Sequence, residues 1–126
     1  MNRQDLITEM RELREQVPGV TGALVAGFDG RLMAADLGLG NGPAVDPDFL
    51  AASAAASLGI ARQVVSLTGQ GRLGQAVTHA SRGHLAVYAI GDAALLAVLG
   101  DNGLDADALH RKSQLALGRI HAILAR

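Results

Sequence analysis

The chain has no cysteine and no tryptophan, only three prolines, and three aromatic residues, Phe28, Phe49 and Tyr88, in 126 positions. Each shortage excludes something. Without cysteine there is no disulfide framework and no thiolate metal site. With aromatics at 2%, the core has to be built from Leu, Val, Ile and Ala. Such side chains bury little area apiece, so association with a second surface would add to stability. The net charge of −1, with both signs scattered along the chain, leaves no electrostatic footprint for nucleic acid or an anionic membrane. The first residues, Met1 to Asp5, are polar and carry no apolar leader core, so a cytoplasmic protein is expected. The length suits a single domain over residues 1–126. Arginine far outnumbers lysine, and Ala and Gly abound, which points to a GC-rich bacterial genome.

What is present changes period along the chain. Leu6, Met10, Leu13 and Val17 recur at helical spacing between charged residues, predicting an amphipathic helix over 3–16 that ends at Pro18-Gly19. Val20 to Phe28 is rich in β-compatible residues. Asp29-Gly30 signals a two-residue hairpin, and Arg31 to Asp36 forms the returning strand. Gly38 to Pro43 reads as a loop. Asp46-Pro47-Asp48 opens a helix over roughly 47–68, an Asp cap followed by Pro at the first helical position. Three strands are then expected, over 72–81, 84–90 and 94–99, and a last helix over about 105–125 with Asp105 and Asp107 at its start. The order α-β-β-α-β-β-β-α predicts an α+β domain with an antiparallel sheet and helices packed on it.

The central helix is the most informative element. Phe49 to Leu67 contains a single charge, Arg62. At about 100° per residue, Phe49, Leu50, Leu58, Ile60, Val64, Val65 and Leu67 share one broad arc, expected to cover the sheet. Ala52, Ala55, Ala56, Gly59, Arg62, Gln63 and Ser66 share the other, whose small side chains let another helix backbone come close. The run is near membrane-spanning length, but Arg62, Gln63 and several serines interrupt it, so no insertion is expected. The next strand, with Gln75, Val77 and His79, has no Pro, Lys, Asp or Glu between Leu73 and Ala80, and at a sheet edge nothing in it would discourage pairing with another chain. These ten residues, seven on the helix and three on the strand, are the expected dimer interface.

Catalytic and cofactor motifs fail their context tests. Gly69-Gln70-Gly71-Arg72-Leu73-Gly74 matches G-x-G-x-x-G, but a helix precedes it and a strand follows, the reverse of a dinucleotide site. His79 and His84 flank a turn without a carboxylate or thiol at ligand spacing. His110 and His121 lie roughly 16 Å apart along their helix, too far to share an ion. No G-x-S-x-G elbow is present. The expectation is therefore a protein with no cofactor, no metal and no catalysis of its own. Arg31, Arg62, Arg72 and Arg82 are read mainly as solvated turn residues. Arg62 alone is singled out as a rim of a partner surface.

The element order, the Gly22 to Gly30 hairpin and the Ala/Ser-rich central helix together resemble the roadblock (dynein light-chain) family, especially its bacterial members. The resemblance covers nearly the whole chain and implies the roadblock/profilin-like fold with a five-stranded sheet. It further implies a homodimer, or a heterodimer with a paralogue, in which central helices pack antiparallel and third strands pair to join two sheets. It also implies a role in regulating or scaffolding a small Ras-like GTPase, in some cases beside a sensor kinase. Activating members of the family remodel the GTPase's own catalytic residues without donating an arginine. A small-molecule-sensing module in bacterial signalling is the competing reading, disfavoured by the scarcity of aromatic pocket residues.

Overall fold

The structure, a computed structural model, describes residues 3–38 and 44–126. Its elements are α1 (Arg3–Gln16), β1 (Val20–Gly27), β2 (Leu32–Leu37), α2 (Pro47–Leu67), β3 (Gln75–Ala80), β4 (Gly83–Ile90), β5 (Ala94–Asp101) and α3 (Ala106–Leu124). The five strands form one sheet in the order β2-β1-β5-β4-β3, antiparallel at every step. This is the expected α+β architecture, with β2 and β3 at the two edges. Of the expected glycine-rich loop, residues 39–43 lie outside the described residues.

The sheet separates two cores because alternate side chains along each strand point to opposite faces. On one face Val25, Ala86, Tyr88, Leu96 and Val98 meet Leu6, Met10 and Leu13 of α1 and Leu109, Ala116 and Ile120 of α3. On the other, Leu24, Ala26, Val87, Leu95 and Ala97 meet Ala51, Ala54 and Leu58 of α2. The result is three layers, with α2 alone on its side.

Local chemistry explains the turns. The hairpin between β1 and β2 has a three-residue loop, Phe28 to Gly30, and not the two-residue loop that Asp29-Gly30 suggests. Gly27 N–H donates to the Arg31 carbonyl and Gly30 N–H to the Gly27 carbonyl, leaving three loop residues. Gly30 sits at φ +86, the left-handed position that closes a type I turn with a bulge. The Asp29 carboxylate accepts from Arg31 N–H at 3.0 Å. Gly19, at φ +90, lets the chain end of α1 pass against Leu104, where an added Cβ would fall 2.3 Å from its Cα. Asp46 caps α2 by accepting from Asp48 N–H, with Pro47 in the first turn, and Asp105 caps α3 by accepting from Ala108 N–H.

Most strand boundaries fall within one residue of expectation, and two differ by more. β3 begins at Gln75, not Arg72. The segment 71–74 stays irregular, with Gly71 at φ +91. β5 runs on to Asp101, because Gly100 and Asp101 still pair with β4.

Candidate interaction surface

The face of α2 that meets the sheet is not the one its bulky side chains suggest. Ala51, Ala54 and Leu58 are buried, with Ala61 and Val65 half-buried beside them. Their spacing of three and four residues is a helical seam. Alanine at three of these positions, Ala51, Ala54 and Ala61, lets the helix backbone lie close to the sheet. Leu50, Leu58 and Val65 of the expected sheet-covering arc do face inward, but Phe49, Ile60, Val64 and Leu67 do not: they are 73%, 65%, 52% and 78% exposed. The helix is turned by about a quarter revolution from the expected setting, because the small residues, not the large ones, fit the shallow layer over the sheet.

The expected interface residues divide accordingly. Ala52, Ala56, Gly59, Arg62, Gln63 and Ser66 are exposed. A Cβ placed on Gly59 would meet nothing within 4 Å. Ala52 lies beside the hairpin, its Cα 3.2 Å from the Cβ position of Gly30. Ala55 does not belong to the open face; it is half-buried and packs on the α2-side core. Arg62 is not simply a rim charge, since its guanidinium lies 4.5 Å from the centre of the Phe28 ring, a cation–π contact that orients it.

On β3, Gln75, Val77 and His79 are exposed at the sheet edge, as expected. Their side chains, however, leave the sheet on the side away from α2. Val77 stands opposite Ala86, and Gln75 opposite Tyr88, both of the α1/α3 core. The β3 residues sharing a face with α2 are Ala76 and Thr78, opposite Val87 and Leu85. What joins the helix and strand surfaces is therefore the open backbone edge of β3, which bonds only to β4.

The open surface contains what the small-residue arc missed. Phe49, Ala56, Ile60 and Leu67, spaced by seven, four and seven residues, run along the side of α2 opposite the sheet. The readable signal was the seam Ala51, Ala54, Leu58, Ala61, Val65: once alanines are allowed to be the seated residues, the large side chains must point outward. Among the described residues α2 is the one helix long and apolar enough to cross a membrane, and here it lies flat on the sheet with its outer side uncovered.

Titratable chemistry is sparse. His79 and His84 do approach each other, their rings edge-to-face with centroids 5.0 Å apart. No group of three His, Cys, Asp or Glu side chains able to hold a metal occurs among the described residues. Burial pushes the Tyr88 phenol above its ordinary 10.0. The Ser113 hydroxyl lies near enough to oppose that rise, yet it is buried without a hydrogen bond of ordinary geometry.

A five-stranded antiparallel sheet with α2 on one face and α1 and α3 on the other is the fold of the roadblock domains. Residues 6–100 match the Roadblock/LC7 domain family, and the chain belongs to it. The matched region stops before α3, although Leu109, Ala116 and Ile120 complete the core against α1. Among solved structures, the Roadblock/LC7 domain from Streptomyces avermitilis is similar at 25% identity over 94% of this chain and 97% of that one, with a TM-score of 0.85. An MglB with a tetrameric arrangement shares the fold at 21% identity, covering 96% and 88%, with a TM-score of 0.87. Profilin II from Acanthamoeba castellanii shares it more loosely, at 13% identity over 95% and 96%, with a TM-score of 0.61. No curated protein matches the chain.

Proposed function

We propose that this protein is a self-associating regulator or scaffold for a small Ras-like GTPase, acting by contact and without catalysis of its own. The observation that carries the reading is the exposed Phe49, Ile60, Val64 and Leu67 on α2, next to an edge strand that bonds on one side only. A monomer gains nothing from displaying four large apolar side chains on one helix face. Burying each would contribute about 1.5–3 kcal/mol. Pairing of β3 with β3 of a second copy, or of a paralogue, would continue the sheet and bring two α2 helices side by side. The tetrameric arrangement of the structurally similar MglB is consistent with a fold that self-assembles. The paired helices would form one platform, large enough for a GTPase domain to touch both copies, and a sensor kinase complex is a further candidate partner.

The test is binding of candidate Ras-like GTPases loaded with GTP analogue or GDP, together with single-turnover hydrolysis. Binding that depends on nucleotide state is expected, because a ligand shifts an equilibrium only by its differential affinity for the two states. Ile60→Asp should abolish it. An Arg62→Ala change should weaken any stimulation without the loss of about 10³–10⁵ that removing an arginine finger causes. Equal affinity for both nucleotide forms, or full activity from a monomeric variant, would defeat the regulator reading.

A further inference from the structure

A cleft of about 520 Å³ opens at the C-terminal end of α2, between that helix, the irregular segment after it and the turn joining β4 to β5. Its polar lining is Arg62, Ser66, Arg72 and Asp92, and its apolar wall is Val65, Leu73 and Ala89. We propose that this cleft binds a small anionic molecule, its phosphate or carboxylate group held between Arg62 and Arg72 and its less polar part against Val65, Leu73 and Ala89.

Four observations converge. Arg62 and Arg72 share the cleft, and neither joins an ion pair among the described residues, whereas Arg14, Arg119 and Arg126 all do. The Phe28 ring already holds the Arg62 guanidinium by its face, so its edge N–H donors are oriented without a carboxylate to satisfy them. The backbone N–H groups of Gly71 and Arg72 find no partner among the described residues, and Gly71 at φ +91 has open space where a Cβ would stand. They add donors beside the side chains, an arrangement suited to an oxyanion. Lastly, the volume and the mixture of an apolar wall with a few converging polar groups fit a small-molecule site better than a flat protein contact. Asp92 is the one carboxylate in the lining. It opposes the anion and offers an acceptor to a hydroxyl or amine on the same molecule.

The cleft shares Arg62 with the proposed partner surface but is set apart from the outer row of Phe49, Ile60 and Leu67, none of which lines it, so anion binding and GTPase binding are measured separately. The experiment is an NMR titration of the full chain with inorganic pyrophosphate, adenosine monophosphate and succinate. Saturable shifts are expected at the amides of Gly71, Arg72, Ala89 and Gly91. Arg72→Gln should weaken binding by about tenfold or more, since the side chain has no ion pair among the described residues to lose. Arg62→Gln should do the same, with circular dichroism reporting whether loss of the Phe28 contact disturbs the fold. Asp92→Asn should tighten binding several-fold, a change of sign that a merely structural role would not produce. Preference for the phosphate probes over succinate, or the reverse, identifies the oxyanion. No saturable shift up to about 10 mM of any probe, or shifts unchanged in the Arg62→Gln/Arg72→Gln pair, would overturn the proposal. So would loss of GTPase binding in that pair with no anion binding in the unaltered chain, which would make the cleft a protein contact.

Discussion

The two faces of the sheet are finished to different degrees. On one, α1 and α3 bring large side chains inward, Leu6, Met10, Leu109 and Ile120 among them. Outside, the same helices are tied by charge, Arg119 to Glu9, Arg126 to Asp5 and Arg14 to Asp36. On the other face one helix is seated on two alanines and Leu58, takes part in none of those ion pairs, and turns four large apolar residues to the outside. The edges repeat the contrast. β2 is fastened to α1 by Arg14–Asp36 and by Arg3 Nε–H donating to the Met33 carbonyl. β3 has nothing along its free side among the described residues. The α1/α3 half is covered and tied down within the monomer, whereas the α2/β3 half is left open, and the proposed self-association rests on that asymmetry.

The contrast breaks most severely at Leu58. It is the one large α2 side chain fully buried, at 1% exposure. With alanines around it, the site cannot collapse easily, so Leu58→Ala should cost about 2–5 kcal/mol. Urea unfolding of a non-associating background checks this, and a loss below about 1 kcal/mol would mean that α2 is held mainly from outside.

A smaller effect is expected on the finished side. The Arg14 side chain donates to Asp36 at 2.9 Å, and that hydrogen bond holds the guanidinium's pKa above its usual value. Arg14 is about one-third exposed, so solvent discounts the pair, and Arg14→Ala should cost about 0.5–1 kcal/mol while leaving association unchanged. Altered association would show that the two halves are not separable.

The smallest effect is alkaline. The folded chain keeps the Tyr88 proton more tightly than the unfolded chain, so this contribution is complete below the ordinary value of 10.0 and is lost as pH rises through the raised one. Stability of the unaltered chain should therefore fall more steeply above about pH 10 than that of Tyr88→Phe. Parallel urea midpoints across that range would contradict the buried placement of the phenol.

Much of this fold is legible in the residues. Leu6, Met10, Leu13 and Val17 mark the buried stripe of α1, and all four are in the core. Asp46-Pro47 and Asp105 start their helices because their side chains satisfy free N–H groups. The absence of Pro, Lys, Asp and Glu in β3 showed that the strand would be unguarded at an edge, and the sheet order places it at one. The rotation of α2 was harder to read, because a helix apolar on nearly all sides has no polar face to set its angle. Size then misleads: in a thin layer alanine is the better inward residue, and Phe49 and Leu67 are displaced outward. The face taken by Gln75, Val77 and His79 depends on the register of β3 with β4, which alternation cannot fix where every neighbour is small or polar. The cleft at Arg62 and Arg72 joins residues from α2, the segment after it and the β4–β5 turn, and such a meeting is set by tertiary structure alone.

On the proposed reading, a second chain completes the α2/β3 surface. Sedimentation equilibrium of the unaltered protein, Gly59→Leu and Ile60→Asp checks this. Gly59 has open space around it within the monomer, so Leu there should leave the fold intact, with a modest gain in helix propensity. The unaltered chain should be dimeric or larger at about 10 μM, a free energy near 8 kcal/mol at micromolar Kd. Both variants should be monomeric with unchanged circular dichroism. A monomer in the unaltered chain at about 1 mM, or persistent dimers in both folded variants, would contradict the account.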